Sequence, residues 1–218
     1  MKSIWVMWNA AAKLLLLIAG ALLGVATMTG CASVKPVVKV GLVAPFEGRH
    51  RAMGYDAIYS ARLAVREINA VGGIGGHRVA LVALDDRGDP RLARQAAATM
   101  AVDPAVVAVA GHFLADTTAS AADIYINEGM ALVRMGEPPF DEFDASLLPD
   151  DFLERYASIT PFDETAGPFA GPTYDAFGLL WQALAMAEQT QGGINRESVQ
   201  AALSGLEYEG VTGVVYWP

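Results

Sequence analysis

Three carboxylates fall within the short run "LDDRGDP", at Asp85, Asp86 and Asp89, and such a set is where a hard divalent cation is first sought. Their spacing fits no calcium loop. The run follows a valine-rich strand pattern and precedes a helical one, a place where acids serve as turn and cap residues, so no metal is expected. His112 has the chemistry of a base or a ligand, but no cysteine or second histidine stands at motif spacing, and His50 and His77 fall in loops. A hydrogen-bonded loop histidine is the reading we adopt. Ser60, Ser120 and Ser158 lack the Gly-x-Ser-x-Gly setting of a nucleophile elbow. Gly72, Gly73, Gly75 and Gly76 would suit a phosphate if they followed a strand and opened a helix. They do the reverse, closing a helix and leading into a strand, and read as a helix cap and return turn. We therefore expect no catalytic residue, no cofactor and no enzyme. Thr117 and Thr118, with the N–H groups of a helix start, could hold an anion; Asp116 beside them reads as the N-cap.

The elements that must position these groups alternate regularly. Residues 37–46 ("VVKVGLVAPF") form a β-branched run of the buried parallel kind. Ile58, Ala61, Val65 and Ile68 then draw one apolar stripe on a helix that Gly72-Gly73 stops. A strand over 78–84 follows, then a helix with Asp89 as N-cap and Pro90 at its first position. A strand over 105–111, a helix through "DTTASAADIYINEG" and a strand "MALVRM" complete a βαβαβαβ order, which predicts a parallel sheet with helices on its faces. After Gly136 a proline-rich acidic stretch reads as linker. The short helical "DFLERYAS" and a long helix carrying Phe177, Leu180, Leu184 and Ala187 on one face come next. Asn195 caps a further helix through Leu203, and "GVTGVVYW" reads as a closing strand.

The amino terminus is of another kind. Lys2 and Lys13 precede the uncharged apolar run 14–28, and Cys31 follows Thr29-Gly30, as in a secretory signal. Residues 1–30 read as a lipoprotein signal peptide and Cys31 as the site of lipid attachment. The alternative is an uncleaved transmembrane anchor, since residues 14–34 hold no charge. Either places the body outside the cytoplasmic membrane. The chain's 15 basic and 24 acidic residues give a net charge of −9, which repels phosphate backbones and disfavours nucleic acid as a partner.

The segments "GYDAIYSARLAVREINAVGGIGG", "VALVALDDRGDPRLARQAA" and "VAVAGHFLADTTASAADIYINEG", with "GPFAGPTYDAFGLLWQALAMAE" later, resemble the type I periplasmic binding proteins, in the branched-chain amino-acid receptor group. The resemblance implies an α/β fold and an extracytoplasmic binding component of an ABC importer. It implies two Rossmann-like lobes clamping a small ligand, the first lobe built from two separated stretches. Here both first-lobe stretches are present, residues 37–136 and 151–218, behind a tether at 31–36. Only the linker 137–150 stands where a second lobe is expected, so we expect a single three-layer lobe with a mostly parallel sheet. Such a half-clamp is expected to bind ligand weakly or not at all. A module that pairs with itself or with another envelope protein is the alternative.

Ligands of open α/β sheets sit beyond the carboxyl ends of the strands. On that edge the candidates are Met53, Tyr55, Ala115, Asp116, Thr117, Thr118, Gly136 and Glu137. The resemblance implies a serine hydroxyl at the position of Ala115, a threonine at that of Pro138 and an aromatic at that of Met53. All three departures remove a ligand contact from an amino-acid site. An amino acid or related small molecule, an ABC permease, a homodimer partner or second protein, and the membrane are the partners expected.

Overall fold

The computed structural model describes residues 35–161 and 164–217. The expectations for the signal sequence, the alternative anchor and Cys31 fall outside them.

Four strands build the main sheet: β1 (Val37–Ala44), β2 (Arg78–Asp85), β3 (Val106–Ala110) and β4 (Ala131–Val133). They are ordered β2-β1-β3-β4, and each neighbouring pair is parallel. Crossovers are made by α1 (Arg51–Ala70), α2 (Pro90–Val102) and α3 (Ala115–Asn127). A 3₁₀ turn (Ala145–Leu147) and α4 (Asp150–Ala157) follow, then α5 (Ala170–Gln191) and α6 (Arg196–Leu203). The chain ends in an antiparallel hairpin of β5 (Glu207–Gly210) and β6 (Gly213–Tyr216).

Two apolar layers sandwich the sheet. One lies between the strands and α1, α5 and α6. It takes Ile58 and Ala61 of the predicted α1 stripe, with Val65 and Ile68 at its margin, and all of Phe177, Leu180, Leu184 and Ala187. Full burial of each larger side chain there contributes about 1.5–3 kcal/mol. The other layer joins the strands to α2 and α3 through Ala93, Ala97, Met100, Ala121 and Tyr125. The α/β sandwich read from the periodicity is the fold observed.

Local chemistry explains most boundaries. Asp89 caps α2 by accepting from the N–H of Arg91 and Leu92, with Pro90 at the first helical position. Asn195 and Ser198 form a reciprocal capping box at α6. The glycine run is a cap and return, as expected. Gly73 N–H bonds back to Ile68 O, and Ile74 and His77 pair across Gly75-Gly76. A Cβ on Gly73 would stand 1.9 Å from His77 O, so only glycine fits.

Three expectations are corrected. The helix start at Asp116 lies two residues earlier: Leu114 is the N-cap, and Asp116 sits inside the first turn. The strand "MALVRM" keeps only three residues. The closing strand is half of a hairpin, because Asp175 of α5 accepts from the N–H groups of Val211 and Thr212 and pins the turn between β5 and β6. A Cβ on Gly210 would press on the Asp175 carboxylate and displace it from those N–H groups.

The sheet's two outer edges differ. On the free side of β2, the Asn69 amide donates to Val79 O at 2.8 Å and accepts from Val79 N–H at 3.0 Å. The free side of β4 carries no such cover among the described residues.

α4 is fastened by charge. Arg155 donates to Glu67 of α1 at 2.8 Å and to the Tyr174 hydroxyl of α5 at 2.9 Å. Its guanidinium lies 5.3 Å from the Tyr174 ring centroid. Asp56 of α1 accepts from the N–H groups of Gly167 and Phe169, both at 3.2 Å, and so holds the stretch leading into α5.

Burial pushes the Asp56 carboxyl up to about 6 from an ordinary 3.8, against the lowering effect of those two N–H groups. A raised folded-state value favours the protonated form. The associated stability is fully present below pH 3.8 and is lost as pH rises through about 6. Discounted for the partial exposure of the group, the loss amounts to about 1–2 kcal/mol. Asp56→Asn should therefore flatten the stability profile between pH 4 and pH 7 relative to wild type. Denaturant melts at four pH values check it, and parallel profiles for the two proteins would contradict the assignment.

Candidate functional site

The carboxyl ends of the four strands carry the loops where the candidates lie. The three aspartates that opened the sequence reading are all spent on the backbone or on each other's neighbours. Asp85 Oδ1 accepts from Phe46 N–H at 2.8 Å and Arg87 N–H at 2.9 Å, tying the loop after β1 to the loop after β2. Asp86 is fully buried; its Oδ1 accepts from Gly88 N–H at 2.9 Å and its Oδ2 stands 2.7 Å from His112 Nδ1. A carboxylate can only accept, so Nδ1 carries the proton and Nε2 is left to accept from the Tyr125 hydroxyl at 3.2 Å. Burial and the Asp86 charge hold the Tyr125 phenol well above its ordinary range, so it stays a donor.

This chain, from Asp86 through His112 to Tyr125, is the main polar feature missed in the sequence. It has the residue types of a catalytic relay, with His112 and Asp86 completely buried. Its role is to lock the loop after β2, the loop after β3 and the body of α3 into one rigid rim. Glycines permit the close approach. A Cβ on Gly111 would meet Val43 O at 2.5 Å, and one on Gly136 would meet Phe113 O at 2.2 Å.

The predicted residues divide on this rim. Thr117 and Thr118 are buried, and their hydroxyls donate to Leu114 O at 2.8 Å and His112 O at 3.2 Å, so they cap the turn. Ala115 and Asp116 are exposed in the first turn of α3, and Asp116 places negative charge at that helix end. Gly136 and Glu137 are exposed beside them, joined to the α3 group through the Gly136 approach to Phe113. Glu137 pairs with Arg134 at 3.6 Å. Met53 packs at the margin of the core, and Tyr55 is exposed in the early turns of α1. Among the described residues no hydrogen bond links either of them to the α3 group. The rim thus offers backbone N–H groups and shape, not a charged clamp.

An open cleft lies elsewhere. A cleft of about 610 Å³ runs along the free side of β4, between Ile126 of α3 on one wall and Leu203 and Trp217 on the other. It meets the rim at Arg134, Glu137 and the two prolines after it. For a small ligand we weigh the strand ends above this cleft, since open α/β sheets present ligands there.

Comparison with known proteins bears on the same segment. The family described as periplasmic binding protein matches residues 37–139. An amino acid binding protein of Pseudomonas aeruginosa is 31% identical over 99 residues, 45% of this chain and 26% of that protein. A leucine-specific-binding protein of Salmonella typhimurium is 35% identical over 99 residues, 45% of this chain and 27% of that protein. The chain thus spans about a quarter of the length of the curated relatives it matches. Among solved structures, a branched-chain amino acid transporter substrate binding protein from Streptococcus pneumoniae, in complex with isoleucine, superposes with a TM-score of 0.69 at 15% identity. The alignment covers 84% of this chain and 92% of that one. A putative branched-chain amino acid ABC transporter from Rhodospirillum rubrum gives 0.67 at 18% identity, over 84% and 93%. At those identities the structures speak for the fold, and the matched sequence over 37–139 speaks for descent. Over residues 37–139 the chain is thus similar to the periplasmic binding proteins, the branched-chain amino-acid binders among them, and its fold is that of the solved structures it superposes on.

Proposed function

We propose that this protein is an extracytoplasmic substrate-binding component of the branched-chain amino-acid ABC importer type, reduced to one lobe and tethered to the membrane through lipid on Cys31. Residues 1–30 are its signal peptide and 31–36 its tether. The two stretches 37–136 and 151–218 make one lobe, and 137–150 bridges them. The observation that carries this reading is the family match over residues 37–139, which ends at the rim built by the Asp86–His112–Tyr125 chain.

The ligand position is the rim at Met53, Tyr55, Ala115, Asp116, Thr117, Thr118, Gly136 and Glu137. Burial of both threonine hydroxyls supports weak binding, because it leaves no side-chain hydroxyl of α3 for a carboxylate. Small-ligand sites bury most of the ligand's surface, and one rim leaves half of it wet. A drop from micromolar to millimolar affinity needs a loss of only about 4 kcal/mol. Accordingly no branched-chain amino acid at up to about 1 mM should raise the melting temperature of the full chain. A clear rise with leucine, isoleucine or valine would overturn the weak-binding reading and leave the family function intact.

A second reading, an interaction module that pairs with itself or with another envelope protein, draws on Leu147, Val214 and Tyr216, which are large, apolar and exposed. Light scattering after size exclusion distinguishes it: a strict monomer at high concentration with no copurifying protein counts against it.

A further inference from the structure

The cleft beside β4 has the shape and chemistry of an empty strand position. Val133 O accepts from Gly111 N–H, and Met135 N–H donates to Gly111 O, so residues 133 and 135 turn their peptide groups toward β3. In a parallel ladder alternate residues face opposite sides, which directs the N–H and C=O of Leu132 and Arg134 into the cleft. No described strand lies there to receive them. The walls are apolar, with Ile126 68% exposed on one side and the Trp217 indole on the other.

The cleft does not end with β4. A neighbouring opening of about 420 Å³ shares Gly129 and Gln200 with it and carries Glu128 and Glu197. With Glu137 at the other end, three glutamates rim the groove. Of the two arginines there, Arg134 pairs with Glu137 at 3.6 Å, and Arg196 donates to the carbonyls of Ala101, Asp103 and Val106 while standing 3.4 Å from Glu128, so Glu197 is the rim carboxylate outside both ion pairs. The net charge of −9 adds to the negative field.

We propose that the free side of β4 is a docking groove for an extended strand of a partner protein, apolar at alternate positions and basic at its ends. Main-chain pairing with Leu132 and Arg134 supplies the affinity, as in other cases of strand addition. The glutamates select the flanking charge.

The test uses the full-length protein in mild detergent with three labelled peptides: KKVTVTVKK, EEVTVTVEE and KKVTPTVKK. The basic peptide should bind saturably by fluorescence anisotropy and slow hydrogen exchange at the amides of Leu132 and Arg134. The acidic and proline peptides should bind at least about tenfold more weakly, one losing charge complementarity and the other a ladder bond. Ile126→Arg, a surface change that walls off the groove, should weaken the basic peptide at least about tenfold, while Ile126→Val should not. Absent protection at Leu132 and Arg134 overturns the proposal. So does equal binding of the acidic peptide. Protection that appears without peptide, together with a doubled mass in light scattering, would assign the groove to a second copy and overturn it as well.

Discussion

Arg196→Ala should cost about 3 kcal/mol of stability and lower the melting temperature by about 6–12 °C, as expected for a domain of this size. The guanidinium donates to Ala101 O at 2.9 Å, Asp103 O at 3.0 Å and Val106 O at 3.1 Å, and stands 3.4 Å from the Glu128 carboxylate. It sits at the first residue of α6 and gathers the end of α2, the start of β3 and the end of α3. Only its planar fork reaches all of them, so Arg196→Lys should recover about half of the loss. The side chain is 17% exposed, and the freed carbonyls are therefore poorly hydrated after truncation. A thermal melt within a degree or two of wild type would show that water replaces the arginine without penalty.

The second large effect is expected at the rim. Asp86→Ala leaves the His112 Nδ1–H without a partner in a fully buried setting and removes the acceptor of the half-buried Gly88 N–H, a loss of about 3–4 kcal/mol. Asp85→Ala removes the carboxylate that accepts from the Phe46 and Arg87 N–H groups, but this carboxylate is partly exposed and water can take its place. Its cost should be about 1 kcal/mol. Hydrogen exchange should report the same contrast locally, with Asp86→Ala accelerating exchange at Gly88 and through the first turns of α3. Equal effects of the two substitutions would mean that His112 and Tyr125 hold the rim without Asp86.

Much of this was visible in the residues themselves. The stripe of Ile58, Ala61, Val65 and Ile68, the Asp89-Pro90 start and the Asn195 cap each encode structure within one or two turns, and each was found where expected. Local patterns failed where the deciding partner is remote. Asp86 and His112 are 26 residues apart and meet only because the strand order sets β1 between β2 and β3, so no spacing rule points to the pair. The start of α1 carries no local mark, because His50 at its N-cap makes no side-chain cap, and the helix takes in Met53 and Tyr55. Asp116 looked like a cap by type, but Leu114 holds that place through its backbone carbonyl. The cleft beside β4 joins Ile126 to Trp217, and nothing in either neighbourhood announces the other.

Asn69 gives the two sides of the sheet different fates. By offering one donor and one acceptor to Val79, its side chain imitates the next peptide unit and blocks lateral pairing at the start of the eight-residue β2. An unguarded strand of that length invites fibrils, whereas the three residues of β4 are too few to template one. Natural selection could thus leave the short side open for traffic because an amide has bolted the long one.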